Sequence, residues 1–243
     1  MSIAVHLPAP ARRPAWAFVA GLAALTVLGW AWSVRLAESG HHGLPLWARV
    51  VMWTTMMVGM MVPPEVPTLI RLAQDGRTGR WRAVGTASAL LGGYLGVWAV
   101  ASVALAVVDA RLGAWGLMTH EMASRSVALN VAILAAAGVV QLSPWKVACL
   151  DRCRAIPRAL TEGTARPLRS GVRHGLASVS SCGVLMLVLL VVGAMNWWAM
   201  GVLTLVLVAE RVAPAGVAPV LSRLTGVGLL VWGGWLTVGT VMA

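Results

Sequence analysis

Long stretches with no charged side chain dominate this sequence, at positions 15–34, 83–108, 126–145, 175–209 and 224–243. A sixth, 44–62, carries only Arg49. A helix needs about 20 mostly apolar residues, at 1.5 Å each, to cross roughly 30 Å of hydrocarbon. Most of these windows fit that length. The 35-residue window at 175–209 is too long, since one straight helix would measure about 52 Å. Gly193, Asn196, Trp197 and Trp198 lie in its middle and read as a tight hairpin between two shorter spans. The expectation is an all-α, polytopic transmembrane helical bundle of about seven spans, with six as the alternative. The spans fall near 15–34, 44–62, 83–108, 126–145, 175–193, 196–210 and 224–243, within a single membrane domain over 1–243. With 59% hydrophobic and 11% charged residues, a water-soluble fold lacks the polar faces it would need, and a disordered chain is excluded.

The basic residues set the expected orientation. Arg12 and Arg13, the cluster Arg71, Arg77, Arg80 and Arg82, the run from Lys146 to Arg173, and Arg211 with Arg223 put fifteen on one side. Only Arg35, Arg49, Arg111 and Arg125 fall on the other. The N-terminus is therefore expected in the cytoplasm and the C-terminus outside. This asymmetry accounts for the net charge of +11 without a nucleic-acid partner, and leaves the lipid bilayer as the expected partner. The first apolar window is too long for a secretory signal and lacks a cleavage site before Arg35, so an uncleaved helix is expected. Trp30, Trp32, Trp47, Trp115, Trp197 and Trp198 lie near the expected boundaries, as an interfacial belt would. Gly92, Gly93 and Gly96 bring small residues to helical spacing, for close packing within the bundle or for a homo-oligomer or partner subunit.

Candidate chemistry concentrates in the second span. Met52, Met56 and Met60 recur every four residues, and Met57 and Met61 form an adjacent row. On a helix the five thioethers make one broad stripe, which is either adaptable packing or a soft ligand set suited to a copper ion. Pro63, Pro64 and Pro67 follow and are expected to end the helix. Glu65 sits among them, either paired with Arg71 or another loop arginine at the interface, or forming a solute site in a broken helix. His41, His42 and His120 fall in outer loops, where imidazoles beside thioethers would suit copper entry, whereas His6 and His174 read as ordinary cytoplasmic surface residues. Cys149 and Cys153 share a helix face just past the fourth span, on the reducing side, and Cys182 opens the fifth. These thiols suit a soft metal or redox chemistry. No zinc-protease helix, phosphate-cradling glycine loop or nucleophile elbow occurs, so no enzyme class gains support.

The run from Gln141 through Ser143, Pro144, Lys146, Cys149 and Cys153 to Pro157 resembles the signature of a bacterial family of predicted metal-binding integral membrane proteins, a domain of unknown function. The Met56–Pro63 run is similar to that family's second-helix motif. Residues 193–197 and Ala209, Glu210, Arg211, Pro214 and Gly216 are similar to two later ones. The resemblance covers most of 45–240 and implies metal binding in a membrane. One motif departs: where the family carries three cysteines entering the fifth span, Ser178 to Met186 keeps only Cys182. Three functions follow as expectations: metal handling, most plausibly of copper; a small-solute or ion transporter built on Glu65; or a structural or assembly subunit in which Gln141, Ser143, Pro144 and Lys146 fix the exit of the fourth helix.

Overall fold

The computed structural model describes residues 13–38, 45–74, 79–119, 121–161, 166–194, 196–214 and 216–241. Among them the charge-free windows are helical over most of their length. The elements are α1 (Arg13–Glu38), α2 (Leu46–Ala73), α3 (Arg80–Ala114), α4 (Val127–Leu142), α5 (Pro144–Thr161), α6 (Pro167–Met186), α7 (Val188–Val192), α8 (Trp197–Val212) and α9 (Ala218–Val241). Three helices, Leu46–Ala73, Trp81–Ala114 and Pro167–Val192, are long and apolar enough to cross a membrane. The bent pair Val127–Leu142 and Pro144–Ala155 makes a fourth if it counts as one span. Seven crossings are not reached by that measure. Absence of charge does not guarantee length: α4 and α8 have 16 residues each and reach only about 24 Å.

Local chemistry explains the breaks. Pro144 pushes Ser143 out of the helical region to ψ 148°, and the chain turns by 63° there. The Ser143 hydroxyl donates to Val140 O (2.7 Å) and accepts from Lys146 N (3.4 Å), so one side chain closes α4 and opens α5. The 175–209 window is interrupted at Gly193, whose φ of +102° suits glycine, and a Cβ there would meet Glu121 O at 2.8 Å. Asn196 then caps α8, accepting from Ala199 N at 3.1 Å.

The prolines of α2 do not end it. The helix runs through Pro63, Pro64 and Pro67 to Ala73, because tertiary contacts outweigh the lost amides. Pro63 cannot donate to Gly59 O, and the indole Nε1 of Trp30 takes that acceptor at 3.2 Å. Trp30 is thus a bonded, half-buried contact between α1 and α2, whereas Trp32, Trp47, Trp115, Trp197 and Trp198 are exposed. Trp30→Phe is expected to cost about 1–3 kcal/mol by stranding Gly59 O. In a Pro63→Ala background the new amide can serve that carbonyl, and the same change should cost much less. Thermal unfolding of the four chains in detergent measures both; equal losses in the two backgrounds would refute the account.

The packed helices run in both directions. Tyr94 reaches Met61 O (3.5 Å) and Ser102 reaches Trp53 O (3.4 Å), so α2 and α3 are antiparallel. At one end Arg49 Nη1 bonds Asp109 Oδ2 at 2.6 Å, so the one charge of the 44–62 window ties α2 to α3. Helices α3 and α6 run parallel and touch through their backbones at Gly93 and Gly171. Gly92 and Gly96, expected to mediate packing, have nothing within 4 Å of an added Cβ; the spacing was visible in the sequence, the facing was not. Helices α4 and α9 cross at Gly138 and Gly226. The apolar core draws on all the helices from α1 to α9, with α5 contributing Leu160.

Candidate functional site

All five methionines of the α2 stripe are at most 1% exposed, so the row faces the bundle interior. Met122, Met186 and Met200 belong to the same core cluster. His41, His42 and His120 lie outside the described residues.

One turn beyond Met61, Glu65 is buried with a partner on each oxygen. His174 Nε2 lies 2.7 Å from Oε2 and Arg211 Nη2 3.3 Å from Oε1. Arg71 is not its partner, because α2 continues and points Glu65 inward, while Arg71 is exposed. His174 is 1% exposed, a correction to its reading as a surface residue: Gly171 and Gly175, on either side of it, let α6 press against α3 and carry the imidazole inside. Arg211 also donates to Ser178 Oγ (3.2 Å). Ser178 Oγ shares a hydrogen bond with the Tyr94 hydroxyl (3.3 Å), and the Tyr94 ring lies 5.3 Å from that of His174.

The three cysteines are free and buried, two on α5 and one on α6. Cys153 Sγ approaches His174 O at 4.0 Å. Cys182 Sγ lies 3.3 Å from Ser181 Oγ and 3.9 Å from Lys146 Nζ. Among the described residues, no group of three or more His, Cys, Asp or Glu side chains is arranged to hold a metal ion. The thiols therefore share a neighbourhood without forming a closed site. A cavity of about 380 Å³ at the α4–α5 bend is lined by Gln141, Ser143, Asp151 and Arg223 and contains none of the sulfur donors.

A second buried ion pair stands beside the first. Lys146 Nζ meets Glu210 Oε2 at 2.7 Å, with side-chain exposures of 0% and 1%. Glu210 Oε1 accepts from Gln141 Nε2 and Ser222 Oγ, each at 2.9 Å. Glu210 and Arg211 are consecutive, so their side chains leave α8 about 100° apart. Glu210 reaches α4, α5 and α9; Arg211 reaches α2 and α6. The last turn of α8 ties five helices. Sequence reasoning placed Lys146, Gln141, Glu210 and Arg211 inside shared motifs but did not pair them, and missed Tyr94 and Ser178 as partners.

The fold and the site define a class: an all-helical bundle whose close-packed interior holds a row of thioethers, three free thiols and two buried ion networks. A family model described as PpoB2, copper chaperone, matches residues 50–236, and the chain belongs to that family. The match includes the methionine row, both ion networks and all three cysteines. No curated protein and no solved structure matches the chain.

Proposed function

We propose that this chain is a multi-pass membrane protein that takes up Cu(I) as cargo on the α2 thioethers and passes it toward the thiols of α5 and α6. The observation that carries this reading is the inward facing of Met52, Met56, Met57, Met60 and Met61. Thioethers are neutral, soft donors that suit Cu(I) and serve harder ions poorly. A purely space-filling role does not require one helix to supply five of them in two adjacent rows. Cys149, Cys153 and Cys182 lie toward the arginine-rich end of the bundle, at the far end of the row from Met52. Family membership supports copper as the cargo.

The surface supports the membrane. Val100, Val103 and Val107 on α3, Val202 and Leu205 on α8, and Val231, Trp235 and Val238 on α9 are exposed, an apolar girdle that suits lipid. Helices running in both directions gather the basic residues of residues 146–173, Arg211 and Arg223 toward one end, which favours seven crossings with a cytoplasmic N-terminus in a bacterial inner membrane. The short helices α4 and α8 fit such a topology through local thinning or burial by their neighbours. The transporter reading loses its main support, since α2 is continuous at Glu65. The assembly reading keeps one observation: Ser143, Lys146 and Gln141 do fix the exit of α4.

The test is copper content. Protein released from membranes by detergent and loaded with Cu(I) should retain copper by elemental analysis. Met56→Leu with Met60→Leu, which conserves volume and should cost less than about 1.5 kcal/mol per site, should lose most of it. No retention by the wild type, or equal retention by the double variant, would end the copper reading; recovery of the chain in the soluble fraction would end the membrane one.

A further inference from the structure

We propose that Nδ1 of His174 is a ligand for the copper cargo at the point where it leaves the thioethers of α2 for the thiols of α5 and α6. This rests on the reading of copper as cargo and adds a nitrogen donor that neither the sequence motifs nor the family description assigns. The argument begins at the other ring nitrogen. His174 Nε2 is 2.7 Å from Glu65 Oε2, and a carboxylate can only accept, so Nε2 carries the hydrogen. Arg211 lies 3.3 Å from the second carboxylate oxygen and already balances the charge of Glu65. With Nε2 engaged by Glu65, Nδ1 is the ring nitrogen left for another partner.

Nδ1 is buried and has no hydrogen-bond partner among the described residues. A buried polar atom left without a partner is costly, so its retention calls for a use. A histidine whose one nitrogen is held by a carboxylate while the other stays free is the arrangement found in metal-binding imidazoles, where the carboxylate fixes the tautomer and the ring orientation. Location agrees with this. On one side the Tyr94 ring, 5.3 Å from that of His174, carries the hydroxyl that bonds Met61 O at 3.5 Å. On the other, Cys153 Sγ lies 4.0 Å from His174 O. His174 thus lies beside both the Met61 end of the α2 row and Cys153 of α5. Imidazole is a donor that copper accepts alongside sulfur.

The test uses the full chain with His6, His41, His42 and His120 changed to Gln, which leaves His174 as the only imidazole of the five histidines. The detergent-purified protein is loaded with one equivalent of Cu(I) under reducing conditions and measured by copper X-ray absorption. The expected spectrum has imidazole outer-shell scattering together with a sulfur shell, and His174→Gln in the native background should weaken copper affinity about tenfold or more. A sulfur-only spectrum in the four-site variant overturns the assignment and leaves copper binding by the thioethers intact. A chain that holds no copper overturns the copper reading itself, and the ligand with it.

Discussion

Lys146→Ala is expected to destabilise the protein by about 3–5 kcal/mol, because it leaves Glu210 charged in a dry interior. Lys146 Nζ is the only described cation within ion-pair distance of the Glu210 carboxylate, at 2.7 Å, and both side chains are almost wholly enclosed. Gln141 and Ser222 each donate to the other carboxylate oxygen at 2.9 Å, but neutral donors do not replace the ammonium. Lys146 also donates to Ser181 O at 3.1 Å, so the substitution loosens α5 from α6 as well as from α8. Combining Lys146→Met with Glu210→Gln removes both charges and keeps an amide oxygen to accept from Gln141 and Ser222. That pair should recover most of the loss, as replacement of a whole buried ion pair often does. Denaturant unfolding in detergent measures the three chains. Equal instability of the single and paired variants would show that stranded charge is not the cause.

The helices were legible in the sequence because uncharged apolar runs admit little else, and the interruption at Gly193 was legible because a glycine and a capping amide stand together there. The methionine rows of α2 were legible too, since a period of four aligns them; their inward facing comes from the structure. Three things were not. Charge-free length overstated helix length, because α4 and α8 stop after 16 residues, ahead of Pro144 and at Ala213. Proline pointed to a helix end at Pro63, but Trp30, 29 residues before Gly59, supplies a donor to the carbonyl of Gly59 that Pro63 leaves free, and no local rule sees that contact. The partners of Glu65 were hidden for the same reason. His174 lies 109 positions away, in a segment whose arginines made it look like cytoplasmic surface. Arg211, the other partner, stood inside a shared motif that named no partner for it.

Substitution at the seam between α3 and α6 should separate two adjacent glycines by the sign of their effect. A Cβ on Gly93 would run into Leu168 O, and one on Gly171 into Leu90 O, in both cases a backbone atom that cannot swing aside. Gly175 is tight against the Val97 side chain (2.8 Å) and Tyr94 O (3.0 Å). Alanine at 93 or 171 must therefore push the helices apart, and a loss of about 3 kcal/mol, the upper end of usual overpacking costs, is expected. The damage should extend beyond stability. Tyr94 follows Gly93 directly, and its bond to Ser178 (3.3 Å) spans the same seam, as does its ring contact with His174. Opening the seam slackens the partner that holds Glu65, so Gly171→Ala should also lower copper retention. Gly92→Ala and Gly96→Ala meet open space and replace a poor helix former with the best one, so each should stabilise by about 0.5–1 kcal/mol. Thermal unfolding of the four alanine variants decides the matter: if Gly93→Ala proved as benign as Gly92→Ala, α3 and α6 would not meet backbone to backbone, and the route by which His174 reaches the interior would need another cause.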